Sequence, residues 1–269
     1  MSEPVIAAEG FAFPEGLRWR EDQLWFSDIL GCAVYRWSDV GGLHLVAEVE
    51  SGPSGLGWSR DDELLICDGG NRRLLRLGKD GNRHLHADLS HVMTHPANEM
   101  ITDSRGWAIV GGYGYDPERD EPTPSSIYWV SPEGAVSELV GGLIFPNGMA
   151  FIDDQTLVVS ETFADRLAII DVPSARVTSR IKLPIGATPD GLSVAADGSL
   201  WVASAYGQAV LRVEREGRVD RVIELPGVGV YDVTFGGSDL RTAFVAISDT
   251  DETHVVATKP GKILAFERA

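Results

Sequence analysis

The chain predicts an all-β fold, a six-bladed β-propeller with four-stranded antiparallel blades around a central channel. Three observations predict it: a recurring tripeptide, a set of short apolar runs after each copy, and near-even spacing of the copies. The tripeptide reads Pro14-Glu15-Gly16, Pro53-Ser54-Gly55, Pro146-Asn147-Gly148 and Pro189-Asp190-Gly191, with proline and glycine fixed and the middle residue variable. Self-similarity at a period near 40 residues is the signature of a repeat architecture.

Blade by blade, the same order recurs. The first unit opens on Leu17-Arg18-Trp19, turns at Arg20-Glu21-Asp22, and continues as Leu24-Trp25-Phe26 and Val34-Tyr35-Arg36-Trp37. The second runs Leu56-Gly57-Trp58, Arg60-Asp61-Asp62, Leu64-Leu65-Ile66 and Leu74-Leu75-Arg76-Leu77. A weaker third copy opens at Pro96-Ala97-Asn98-Glu99-Met100-Ile101 and turns at Asp103-Ser104-Arg105-Gly106 before a strand over 107–110. The fourth carries Met149-Ala150-Phe151, Leu157-Val158-Val159 and Leu167-Ala168-Ile169-Ile170; the fifth carries Leu192-Ser193-Val194, Leu200-Trp201-Val202 and Val210-Leu211-Arg212-Val213. A second weak copy, Val230-Tyr231-Asp232-Val233 followed by a strand over 243–247, makes the sixth. Period-2 alternation with β-branched and aromatic residues specifies strands, and the Gly, Asp and Asn between them specify tight turns. The openings fall at 15, 54, 98, 147, 190 and 232. A β-sandwich has similar content, but the regular repeat argues against it. No helical period appears, beyond a short turn within 88–95. The strand-like segments 4–8 and 262–266 are expected to share one blade and close the ring, making 1–269 a single domain. The segment 116–126 reads as a surface insertion in the third blade.

Composition narrows the partners. The 269 residues are 43% hydrophobic, enough for a packed core, and carry a formal charge of −17. An acidic chain is a poor match for nucleic acid or an anionic membrane, which require basic surface. Cys32 and Cys67, in strand-like apolar runs, form neither a disulfide framework nor a cysteine zinc site. No secretory signal or 20-residue apolar run is visible, so a cytoplasmic location is expected.

The first strand of each propeller blade lines the channel, so residues opening those strands meet at one mouth. This gathers Glu15, Asn98, Asn147, Asp190 and Asp232. Carboxylate and amide oxygens converging in this way suit a hard divalent cation. Asp and Asn are also ordinary turn residues, and Pro-x-Gly an ordinary turn frame; Glu is not. Of the six histidines, His84 and His86 read as part of a solvent-facing strand, and His95 is the one placed to reach the mouth. No nucleophile elbow, phosphate loop or dinucleotide fingerprint is present.

The chain resembles the SMP-30/gluconolactonase family, which includes regucalcin and bacterial sugar lactonases, in Pro14-Glu15-Gly16-Leu17, in Phe145-Pro146-Asn147-Gly148-Met149-Ala150-Phe151, and in Thr188-Pro189-Asp190-Gly191-Leu192 through Leu200-Trp201-Val202-Ala203. Thr234-Phe235-Gly236-Gly237-Ser238-Asp239-Leu240-Arg241-Thr242 also matches. The resemblance implies one divalent metal (Ca2+, Zn2+, Mg2+ or Mn2+) held by Glu15, Asn147 and Asp190. It implies that Asn98 contacts substrate or completes the site, and that Asp190 is also the general base in opening a small-molecule lactone. The family pattern has Asn-Asp where this chain has Asn98-Glu99. A sugar-gripping arginine of the animal members falls at Pro96, and an acidic substrate contact near Asp116. Tyr113 and Tyr115, among Gly111, Gly112 and Gly114, suggest an aromatic pocket wall. The substrate-binding set expected on these grounds is Asn98, Glu99, His95, Tyr113 and Asp116, with Asp232 a further candidate base or ligand. Two other readings share the scaffold: a different reaction, such as phosphotriester hydrolysis or non-hydrolytic rearrangement of a natural product, and a non-catalytic metal-binding propeller.

Overall fold

The computed structural model describes residues 3–116, 119–251 and 253–267. These form six four-stranded antiparallel sheets. The innermost strands are Pro14–Arg20, Pro53–Trp58, Ala97–Thr102, Pro146–Asp153, Pro189–Val194 and Gly229–Gly236. Each touches the next, and the sixth returns to the first, so the ring is closed. The outermost strand of the sixth blade is the N-terminal Val5–Phe11, which pairs antiparallel with the C-terminal Gly261–Phe266. The fold class expected from the repeats is the one observed.

Packing explains why both faces of the middle strands are apolar. Leu64–Asp68 and Leu200–Ser204 are buried at every position, because each blade is covered on two sides by its neighbours. A separate apolar cluster fills each of the six junctions between blades. The outermost strands, such as Arg176–Lys182, are mostly exposed and carry charge, which protects sheet edges from pairing with other chains.

Several local expectations change. Cys67 lies buried in a strand, but Cys32 sits in a turn with φ 57° and is half-buried. His84 is exposed, whereas His86 is half-buried and burial lowers its pKa. The insertion of the third blade is shorter than 116–126, because its strand already starts at Pro124; Pro117 and Glu118 within it lie outside the described residues. The only helices among the described residues are the single turns Thr162–Ala164 and Val255–Thr258. No helix is long and apolar enough to cross a membrane.

Candidate active site

The Pro-x-Gly frame is a strand start, not a turn. Its proline is the first residue of the innermost strand in four blades. At the frame, pairing with the second strand is interrupted in all six blades, for example between Pro146 and Met149 and between Pro189 and Leu192. Such bulges re-aim side chains next to active sites.

The frame therefore divides into two layers, one residue apart. The middle-residue layer is Glu15, Ser54, Asn98, Asn147, Asp190 and Tyr231, and all six line one cavity of about 290 Å³. Glu15, Asn147 and Asp190 are only 6%, 4% and 5% exposed. Asn98 Nδ2 donates to Asn147 Oδ1 at 2.9 Å, which fixes the amide so that its oxygen keeps one lone pair for a further partner.

The glycine layer lies beneath. A Cβ on Gly148 would stand 2.2 Å from the carbonyl oxygen of Asp190, and one on Gly55 would stand 2.1 Å from the nitrogen of Met100. At these two positions glycine is required by close approach of neighbouring strands, and Gly16 of the same layer needs it for a φ of +63° as well. In the third and sixth blades this layer holds Glu99 and Asp232 instead. Their carboxylates fill the space beside the glycines of the preceding blades: a Cβ on Gly55 would be 2.4 Å from Glu99 Oε1, and one on Gly191 would be 1.9 Å from Asp232 Oδ1.

Glu99 and Asp232 thus do not reach the cavity, contrary to the sequence expectation. Adjacent strand residues point to opposite sides, and the residue at the frame's middle position in the sixth blade is Tyr231. Glu99 receives Arg18 Nη2 at 2.7 Å and the amide of Met100. Asp232 accepts from the amides of Leu17 and Val233 at 2.6 and 2.7 Å. Burial, then the Glu99 carboxylate, pushes the Asp232 pKa up to about 7, against the pull of Arg18 and the two amides. The buried Glu99 and Asp232, with the half-buried Arg18, form a polar layer below the cavity floor.

Two further residues expected at the site lie elsewhere. His95 is half-buried, 3.0 Å from Thr94 Oγ1, and does not line the cavity. Asp116 turns back toward its own loop, accepting from the amides of Arg119 and Asp120 through its carbonyl. Tyr113 does line the cavity, stacked on Phe145 at 3.8 Å and 18°. Tyr115 lies behind it, buried edge-on to Tyr113, and burial raises its pKa to about 12.

Sequence reasoning missed most of the apolar wall. Phe145 and Phe163 continue the Tyr113 stack at 5.6 Å and 19°, and Phe13 packs on Tyr231 at 4.3 Å across the cavity. Phe145 has φ 45°, a costly conformation for a bulky residue. It is held there by Glu161, whose Oε1 accepts the amide of Ile144 at 3.1 Å. Glu161 is fully buried and bound by Arg166 at 2.6 and 2.7 Å and by Arg180 at 2.8 Å. Burial opposes its ionisation, yet these arginines hold its carboxyl below the usual range.

Glu161 belongs to a second repeat that carries a readable signal. It pairs with Pro146, as Asp28 pairs with Pro14, Asp68 with Pro53 and Ser204 with Pro189. Each is a buried polar residue ending an apolar second strand 14 or 15 positions after the frame proline. Asp28 accepts the amides of Ala12 and Phe13 at 3.0 and 2.7 Å, and so positions the Phe13 side of the mouth.

Among the described residues no group of three or more His, Cys, Asp or Glu side chains stands together as a metal cage. The cavity floor instead offers two carboxylates and one amide oxygen, a donor set that suits a hard divalent cation. Among the described residues no Arg, Lys or His lines this cavity.

Residues 13–249 match the model of the SMP-30/Gluconolactonase/LRE-like region. Pentonolactonase XacC of Haloferax volcanii is 27% identical over 249 residues, covering 88% of this chain and 82% of its own. Lactonase drp35 of Staphylococcus saprophyticus is 25% identical over 248 residues, covering 84% of this chain and 72% of its own. The solved structure of a calcium-binding protein, regucalcin, from Agrobacterium tumefaciens superposes with a TM-score of 0.79 at 22% identity, over 97% of this chain and 92% of that one. With the propeller, the repeated frame and a family match across most of its length, the chain belongs to the SMP-30/gluconolactonase/LRE-like family.

Proposed function

We propose that this protein is a metal-dependent hydrolase that opens a lactone, acting as one propeller domain over 1–269. The observation that carries this is the convergence of Glu15, Asn98, Asn147 and Asp190 from four blades on the floor of one cavity. The names of the two lactonase relatives support the reaction class. The acidic donors and the calcium-binding regucalcin neighbour support a divalent ion.

Glu15, Asn147 and Asp190 would hold one divalent cation, chosen among Ca2+, Mg2+, Mn2+ and Zn2+. When bound, that cation supplies a Lewis acid for the lactone carbonyl and lowers the pKa of water. Asn98 orients the Asn147 amide through its 2.9 Å hydrogen bond. Asp190 acts as general base, taking a proton from the attacking water. The water oxygen bonds to the acyl carbon, the ring C–O bond breaks, and the proton passes to the departing alkoxide, leaving a hydroxy acid. The aromatic walls exclude bulk water, which strengthens electrostatic interactions at the floor. Two free cysteines and no need for a disulfide accord with a cytoplasmic setting.

The test is hydrolysis of a lactone panel before and after exhaustive chelation, with each metal restored in turn, on wild type and Asp190→Asn. Loss of activity on chelation and in the variant, with the fold intact by circular dichroism, is the expected result. Turnover that survives chelation would remove the metal. Metal binding without turnover of any lactone or ester would leave a binding module, and turnover of phosphotriesters instead would reassign the reaction.

A further inference from the structure

We infer that the preferred ligand is an uncharged lactone carrying a flat apolar ring, rather than a polyhydroxylated or anionic one. This inference rests on the lactone-hydrolase reading. Two observations support it.

The first is charge. Among the described residues the cavity is lined by Glu15 and Asp190 and by no Arg, Lys or His. A phosphorylated or carboxylated lactone would face two carboxylates and no cationic side chain among those lining residues.

The second is the wall. Tyr113, Phe145 and Phe163 stack in near-parallel planes along one side, 18° and 19° apart. Phe163 ends the stack and is 41% exposed, so its face is available to a further ring. Phe13, Tyr231 and Ile29 form the opposite side. The Tyr231 hydroxyl donates to the Asp249 carbonyl at 3.0 Å, which leaves its ring turned to the apolar cluster. A cavity of about 290 Å³ between such walls suits a small fused bicyclic molecule.

The experiment compares dihydrocoumarin, an uncharged benzo-fused lactone, with δ-valerolactone, glucono-δ-lactone and 6-phosphogluconolactone on the metal-loaded protein. Expected is a kcat/KM at least about tenfold higher for dihydrocoumarin than for glucono-δ-lactone, and no turnover of the phosphorylated lactone. Phe163→Ala should raise KM for dihydrocoumarin by about tenfold, and by much less for δ-valerolactone, which has no ring to stack. A preference for glucono-δ-lactone, or an equal effect of Phe163→Ala on both lactones, overturns the ligand class and leaves the hydrolase reading standing. Should no lactone be turned over, the hydrolase reading falls instead. Calorimetric binding to Asp190→Asn then decides the ligand class: tighter binding of dihydrocoumarin than of glucono-δ-lactone supports it, and the reverse order or equal affinity overturns it.

Discussion

The two mouths of the channel are built from the same six strands and differ in how their charges are satisfied. At the mouth formed by the strand ends, a cavity of about 460 Å³ is lined by Arg18, Arg20, Trp58 and Asp62. Its cations already have partners. Arg18 is held by Glu99 and by the carbonyls of Leu56 and Met100, and Arg20 by Asp62 at 2.7 Å with its guanidinium 4.8 Å over the Trp58 ring. At the mouth formed by the strand starts, the cavity is smaller, and among the described residues two carboxylates and no Arg, Lys or His line it. A lining rich in acidic oxygen donors is suited to receiving a cation. The larger space is therefore the less suited to chemistry, because size says nothing about electrostatic demand.

The first way to break this comparison is to remove one charged side chain from each mouth. Asp190→Asn should lower kcat/KM on a lactone by about 10³-fold or more, as loss of both a ligand and a base requires. Arg20→Ala at the other mouth should change it by no more than about threefold. Equal losses in steady-state kinetics would mean that the mouths had been assigned wrongly.

Glu161→Gln tests the frame of the aromatic wall. It leaves Arg166 and Arg180 facing a neutral group in a buried cluster, at a cost of about 3 kcal/mol read from urea denaturation. Because the carboxyl of Glu161 is held low in the folded state, its contribution is present above the ordinary carboxylate value and fades as pH falls through the depressed one. The variant should lose part of the acid limb of the stability profile.

Metal removal should act on one mouth only. At about 100 times its dissociation constant, a bound cation adds about 2.7 kcal/mol, or roughly 5–10 °C in Tm. Calorimetry should show that increment in wild type and in Arg20→Ala, and should not show it in Asp190→Asn.

The glycine layer gives a smaller effect. Gly191→Ala places a methyl 1.9 Å from Asp232 Oδ1 and should cost about 1–3 kcal/mol by overpacking. Gly81→Ala, where nothing lies within 4 Å but φ is +79°, should be destabilising through backbone strain alone and should leave catalysis untouched. The subtlest test is pH. The raised pKa of Asp232, near 7, means the folded protein holds a proton that the unfolded chain releases near 4. Its contribution to stability therefore falls as pH rises from about 4 to 7. A Tm profile across that range should flatten in Asp232→Asn.

Repeat phase made much of the site readable. Wherever Pro and Gly bracket the middle residue, that residue faces the cavity, so Glu15, Ser54, Asn147 and Asp190 could be placed from their letters. Asn98 followed from spacing. In the sixth blade neither Pro nor Gly pins the phase, and the expectation settled on Asp232 when the cavity residue is Tyr231. A strand alternates sides at each residue, so one step of phase exchanges cavity for buried layer. Glu99 was displaced for the same reason. Phe13, Phe145 and Phe163 escaped because they stand outside the frame, on loops whose meeting depends on Asp28 and Glu161 anchoring them from a different strand.

The sequence by itself determined the number of blades, their strand order, the closure of the ring and the polar set at one mouth. It could do so because a period-2 pattern and a 39–49 residue spacing are local properties of the chain. Tertiary structure alone decided which of two adjacent layers each acid occupies, that Arg18 crosses from one mouth to neutralise the middle of the channel, and that aromatic rings from separate loops wall the acidic floor. Those outcomes depend on distances between blades, and such distances exist only once the ring has closed.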